Sequence, residues 1–150
     1  MRAVLQRVTS ASVRTTDGYT AAIGPGMLVL LGVAKDDGGD DGAWLAQKIA
    51  ALRIFADESG QMNRAVTETG GGVLVVSQFT LHASVRKGAR PSYNDAAPPE
   101  PARRLYDEFV LQLQAALGRR VETGQFGALM QVSLVNDGPV TILIDTKRRD

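Results

Sequence analysis

The sequence of 150 residues predicts a single α/β domain over residues 1–150, built in three layers: helix, sheet and sheet. Three observations lead there. "MLVLLGVA" (Met27 to Ala34) and "VLVVSQFTL" are continuous apolar runs, the pattern of strands covered on both faces. Leu45, Ile49 and Leu52, and again Leu105, Phe109, Leu113 and Leu117, recur at the spacing of one helix face. The strand-like segments outnumber these helices, so the helices cannot cover both faces of every strand and sheet must pack on sheet.

The elements follow in the order two strands, two strand-helix units and three strands. "RAVLQRVTSASVRTTDGYTAAIG" alternates for much of its length around Asp17-Gly18, a hairpin signal. "MLVLLGVA" is the next strand. "KDDGGDDG" is a loop in which Asp40 or Asp41 caps the first helix. "DESGQMNRAVTETGGG" reads as loop and "VLVVSQFTL" as the second buried strand. "HASVRKGARPSYNDAAPPEPA" is a long polar connection without period, the kind that carries function more often than packing. The Leu105–Leu117 helix comes next, and "GRRVETG", "MQVSLVND" and "PVTILIDT" finish the chain as strands. The basic end "TKRRD" reads as a solvated tail.

Composition narrows the function. With 44% hydrophobic and 22% charged residues the chain has an ordinary globular balance. A chain of this length buries roughly 68–70% of its unfolded surface. The absence of cysteine removes disulfides, thiolate zinc sites and cysteine nucleophiles, and fits a reducing compartment. "MRAVLQRVTSASV" lacks a signal-peptide apolar stretch and no run approaches a membrane span, so a soluble, cytoplasmic protein is expected. A formal net charge of +1 leaves any grip on nucleic acid to a local basic cluster.

Few residues carry chemistry. The single histidine, His82, follows "SQFTL" and could join Ser77 or Thr80 in a triad. A partly exposed histidine at a strand end is the simpler account. "DDGGDD" lacks the spaced ligands and terminal glutamate of a calcium loop, so its acids belong to a helix N-terminus. "TETGGGV" has no phosphate-loop lysine. In "VRKGARPSY", Arg86, Lys87 and Arg90 form a compact basic cluster suited to phosphates, with Tyr93 available to stack. "SLVNDGPVTILID" places Gly138-Pro139 inside an apolar run, where neither residue is normally found. An X-Pro bond is also where a cis peptide costs least, and a proline bulge at a strand edge would equally explain the pair.

At "VVSQFTL", "RKGARPSY" and "MQVSLVNDGPVT" the sequence resembles the D-aminoacyl-tRNA deacylases, and the likeness runs from "MRAVLQRV" through "GMLVLLGV" to the last strand. The resemblance implies that family's fold and the hydrolysis of D-aminoacyl-tRNA and of glycyl-tRNA(Ala), without metal or cofactor. It implies a homodimer with its pocket at the subunit interface. Ser77, Gln78, Phe79 and Thr80 would line the site. Gly138-Pro139 would be the Gly-cisPro motif inserted into the opposite subunit's pocket, supported by Arg7 and Asn136. His82 lies outside the family pattern.

Two roles stay open for Thr80: nucleophile, or positioning group beside the Phe79 and Thr80 backbone N–H groups that polarise the carbonyl. Positioning is favoured, since no base other than His82 is visible. Two other functional classes also remain. The basic loop alone would suit a non-catalytic nucleic-acid-binding module. Ser77 and His82 would suit a serine-type small-ester hydrolase, though the G-x-S-x-G elbow is missing.

Overall fold

A computed structural model describes residues 1–149, and its organising element is the 14-residue strand β1, Arg2–Thr15. One edge of β1 carries antiparallel β3 (Gly26–Gly32) and, further along, antiparallel β2 (Thr20–Ile23). The other edge is followed by antiparallel β8, Met130–Asp145. Beyond β3 lie parallel β6 (Gly72–Ser77) and the short β7 (Glu122–Thr123). These make a six-stranded sheet, and β4 (Phe55–Ala56) with β5 (Met62–Arg64) form a separate hairpin. Helix α1 (Gly39–Ala51) and the short α2 (Val66–Thr69) lie between β3 and β6, and α3 (Pro99–Leu117) between β6 and β7. The two parallel strand-helix units are therefore present as expected.

Each side of the sheet has its own core. Ala3 and Leu5 of β1, with Met27, Val29, Leu31, Val73 and Val75, pack against Leu45 and Ile49 of α1 and Leu105, Phe109 and Leu113 of α3. On the opposite face Leu28, Leu74 and Val76 pack with Val8, Ala11 and Val13, again from β1. A strand of strict alternation would send its apolar residues to one face only. The β1–β8 ladder, however, shifts register between Gln6 and Val8 and between Val8 and Ser10. These irregularities change the phase of β1, and its second half supplies the opposite core. Helix, sheet and sheet are the layers that result.

The second register feature lies on β8. Gln6 pairs with Thr141 and Val8 with Asn136, so residues 137–140 stand out from the ladder opposite the single residue Arg7. The two expected terminal strands are thus one 16-residue strand carrying an excursion. Proline's missing N–H is harmless in a segment that leaves the ladder. The Gly138–Pro139 bond is cis.

Other departures have local causes. The segment read as loop after Ala56 contains β5 and α2. Its turn is organised by the Asp57 carboxylate, which accepts from the N–H groups of Ser59 and Gln61 and from Asn63 Nδ2. "GRRVETG" contributes only the two residues of β7. "VLVVSQFTL" stops being a strand at Ser77, and Phe79–His82 is a 3₁₀ turn.

The basic end is no solvated tail either, although Asp150 lies outside the described residues. Thr146 is buried, Lys147 Nζ donates to Asp41 Oδ2 at 2.9 Å, and the Arg149 guanidinium lies 4.5 Å from the Trp44 ring centroid. Asp41 does serve the helix start, accepting from the Gly38 N–H. Burial alone would raise the Asp41 carboxyl, but the Gly38 N–H and Lys147 hold it down at about 2. No helix among the described residues is long and apolar enough to cross a membrane.

Candidate active site

A cavity of about 610 Å³ opens where β6 runs into the 3₁₀ turn. Ser77, Gln78, Phe79 and Tyr93 line it, with Leu129 from just before β8 and Met130 from its first position. The turn begins where β6 loses its neighbour: the Gln78 N–H still reaches Leu31 O at 2.7 Å, after which Leu81 N–H closes on Gln78 O. The Phe79 and Thr80 N–H groups meet no backbone acceptor among the described residues, as the opening donors of a helical turn do not. Phe79 stands 55% exposed at the cavity.

Thr80 is not among the cavity-lining residues. Its Oγ1 accepts from Gln78 Nε2, so the two expected site residues hold one another. His82 is buried rather than partly exposed, because the 3₁₀ turn rotates it inward against the backbone of Gly32. Its Nε2 has no partner, and no hydrogen bond joins it to Ser77 or Thr80. The triad is not assembled.

Arg7 and Asn136 converge on the 137–140 excursion. Arg7 Nε donates to Asp137 O at 2.9 Å while its Nη1 donates to Ile54 O at 2.7 Å. Asn136 Nδ2 donates across the base, to Arg7 O at 2.9 Å and Val140 O at 3.0 Å. Gly138 is required by space, since a Cβ there would lie 2.3 Å from Val140 N. Asp137, Gly138 and Pro139 are exposed.

The basic loop is less irregular than its sequence. Ser84 and Ser92 exchange backbone hydrogen bonds of 2.7 and 2.9 Å, closing a tip that carries Arg86, Lys87 and Arg90. All three cations are exposed, and the tip turns at Gly88, whose φ of 69° favours glycine. Below the tip, Ala97 N–H bonds Val33 O and Lys35 N–H bonds Asp95 O, tying the loop to the end of β3. Tyr93 lies edge to face with Phe79, ring centroids 5.1 Å apart. The cavity walls at Leu129 and Met130 escaped the sequence reading. Their one signal is an apolar pair in the otherwise open "TGQFGALMQ", with Leu129 80% exposed.

The family model described as D-Tyr-tRNA(Tyr) deacylase matches residues 4–145. The chain belongs to that deacylase family. It is 63% identical over 150 residues to a D-aminoacyl-tRNA deacylase of Opitutus terrae, covering all of both chains. It is 62% identical over 148 residues to one of Anaeromyxobacter dehalogenans, covering 99% of each. A solved structure described as c-Myc DNA Unwinding Element Binding Protein superposes with a TM-score of 0.89 at 43% identity, over 97% of this chain and 98% of that one. Another, described as a probable eukaryotic D-amino acid tRNA deacylase, shares the fold with a TM-score of 0.83 at 18% identity, over 95% and 97%. In this deacylase chain the "SQFT" turn and the "NDGP" excursion are separate features: neither Gly138 nor Pro139 lines the cavity beside Phe79.

Proposed function

We propose that the protein hydrolyses the ester joining a D-amino acid to the terminal adenosine of tRNA, in the compartment where tRNA is charged. The observation that carries this reading is the full-length relationship to proteins named D-aminoacyl-tRNA deacylase at 62–63% identity. Water adds to the ester carbonyl, the tetrahedral oxyanion collapses, and the ribose oxygen leaves with a proton as free tRNA and D-amino acid separate. The unpaired Phe79 and Thr80 N–H groups are the donors for that oxyanion. Thr80 positions rather than attacks: its hydroxyl is held by Gln78 and has no base.

The Gly138–Pro139 excursion supplies stereochemical selection from a second subunit. It is held by Arg7 and Asn136, is exposed, and does not line its own chain's cavity. β8 supports such a dimer, since a long edge strand bearing exposed Val135 and Leu143 invites pairing unless something covers it. A 10⁴-fold preference for D over L needs about 5.5 kcal/mol. An apolar pocket separates one methylene by only about 1–3 kcal/mol. A clamped backbone wall is the stiffer device. A D-residue turns hydrogen toward it and an L-residue drives its β-carbon into it. Glycine presents hydrogen either way, so glycyl-tRNA(Ala) is a substrate as well. Arg86, Lys87 and Arg90 contact tRNA phosphates. The reaction as written uses no metal or cofactor.

The test is incubation of the pure protein with D-tyrosyl-tRNA, L-tyrosyl-tRNA and a small synthetic ester. Release from the first alone supports the reading, and cleavage of the small ester points to a general esterase. A second reading, a nucleic-acid-binding module on the same fold, is kept by the DNA-binding description of the 43%-identical structure. Tight RNA binding with no release from any ester would favour it.

A further inference from the structure

The basic tip and the cavity are joined through one side chain. Tyr93 follows Ser92, the foot of the tip, and its own carbonyl accepts from Ala96 N–H. Its ring meets Phe79 edge to face and lines the cavity, yet 40% of the residue remains exposed. No hydrogen bond engages its hydroxyl among the described residues, so the position uses the ring alone. A large aromatic kept half in water at a cavity rim, beside unpaired cations, offers a flat surface that the fold itself leaves free. A polynucleotide leaving the cavity toward Arg86, Lys87 and Arg90 passes that ring. Single-stranded nucleic acid is held by this combination: cations follow the backbone while an aromatic takes a base.

We infer that Tyr93 is a stacking residue for the base of the nucleotide that precedes the terminal adenosine. The inference rests on the deacylase reading for its substrate. The terminal adenosine, with the ester, occupies the cavity at Phe79, and the next base upstream lies on Tyr93 as its phosphate reaches the tip. The Ser84–Ser92 bonds fix the distance between the two contacts, making the loop a ruler for the unpaired end of the RNA rather than a flexible arm.

Hydrolysis of D-tyrosyl-tRNA compared with D-tyrosyl-adenosine, which lacks the preceding nucleotide, tests this. Tyr93→Ala should raise KM for the tRNA ester about tenfold, in the lower range for loss of one base–aromatic stack. Because Tyr93 also lines the cavity against Phe79, some loss is expected on D-tyrosyl-adenosine too. The loss in kcat/KM should be about tenfold larger for the tRNA ester and should lie in KM. Tyr93→Phe should restore the tRNA KM, because the hydroxyl has no partner. Tyr93→Leu keeps apolar bulk against Phe79 if the alanine variant unfolds, and should show the same split. Equal losses on both esters, or no loss on either, would overturn the inference. Affinity for the uncharged trinucleotide CCA gives an answer independent of hydrolysis. In Tyr93→Leu it should fall about tenfold more than the affinity for adenosine does, and equal changes for CCA and adenosine count against stacking even in an active enzyme. If the wild type cleaves neither ester, the deacylase reading fails and the CCA measurement alone decides whether Tyr93 stacks.

Discussion

Arg7 holds Asp137 twice, with Nε 2.9 Å from its backbone oxygen and 3.2 Å from its carboxylate Oδ2. These residues are far apart in the chain, and the contact spans the place where the β1–β8 ladder opens. The same guanidinium reaches Ile54 O before β4. One planar cation therefore fixes the excursion to two parts of the fold, a task suited to the rigid fork of arginine and not to a lysine ammonium.

Replacing Arg7 should separate stability from selection. Hydrogen bonds from a charged group contribute about 1.5–3 kcal/mol each when formed away from bulk water. The partly exposed Asp137 contact lies below that range. Arg7→Lys should lower the melting temperature by several degrees and reduce D-tyrosyl-tRNA hydrolysis about tenfold or more, with Arg7→Ala worse in both. Thermal melting and single-turnover kinetics on both variants measure this. A lysine variant with wild-type kinetics would free the excursion of any dependence on the clamp.

Gly138→Ala tests the excursion itself. The new Cβ would fall 2.3 Å from Val140 N, a backbone atom, so the segment must move. A displacement of about 1 Å at a positioning element can cost on the order of 100-fold in rate. Hydrolysis of D-tyrosyl-tRNA should fall by about that factor while the circular dichroism spectrum is preserved. Full activity would mean that residues 137–140 do not meet the substrate.

Much of the fold was readable where burial imposes a period. Leu105, Phe109 and Leu113 of α3 sit on one buried stripe, and the uninterrupted apolar run of β3 is covered on both faces. What escaped depends on partners distant in sequence. The phase change of β1 appears only when β8 is laid beside it, and the 3₁₀ turn appears only where Leu31 O captures the Gln78 N–H. The "TKRRD" segment looked solvated because Asp41 and Trp44, which hold it, lie about a hundred residues earlier. The site motifs were legible as motifs, but the cavity wall at Leu129 and Met130 was not, because that segment has no period.

The Asp41–Lys147 pair makes stability depend on pH in a defined window. The Asp41 carboxyl sits at about 2 in the folded chain against an ordinary 3.8. Its folded value is depressed, so its contribution is fully present above pH 4 and is lost as pH falls toward 2. Lys147 is 42% exposed, so solvent screening limits the contribution to about 1–2 kcal/mol. Asp41→Asn should melt several degrees below the wild type at pH 6, the gap closing below pH 3. Melting curves across that range decide it, and a gap independent of pH would assign the effect to packing.

Lys87→Ala addresses the RNA grip. Each phosphate neutralised contributes about 0.7–0.9 to the log–log salt slope of binding. With a net charge of only +1, few contacts can contribute, and losing one should be visible. The slope for tRNA should become shallower by about that amount while the preference for D over L is unchanged. Unchanged slopes for Lys87→Ala, Arg86→Ala and Arg90→Ala would place the RNA contacts elsewhere.

Thr80→Ala distinguishes the two roles left for that hydroxyl. A nucleophile cannot be removed cheaply: in a covalent hydrolase the loss is on the order of 10⁶-fold in kcat. A hydroxyl that only positions its neighbours costs about 10- to 100-fold. Here Oγ1 accepts from Gln78, the single histidine is buried without a partner, and the cavity wall is made by residues 77–79. With nothing to take its proton, Thr80 is a poor nucleophile, whereas its backbone N–H survives the substitution. Thr80→Ala should therefore fold normally and retain measurable deacylation, within about 100-fold of the wild type. Rapid-quench analysis of D-tyrosyl-tRNA turnover should show no aminoacyl-enzyme. An ester trapped on Thr80, or a loss near 10⁶-fold with the fold intact, would return the residue to the nucleophile's role.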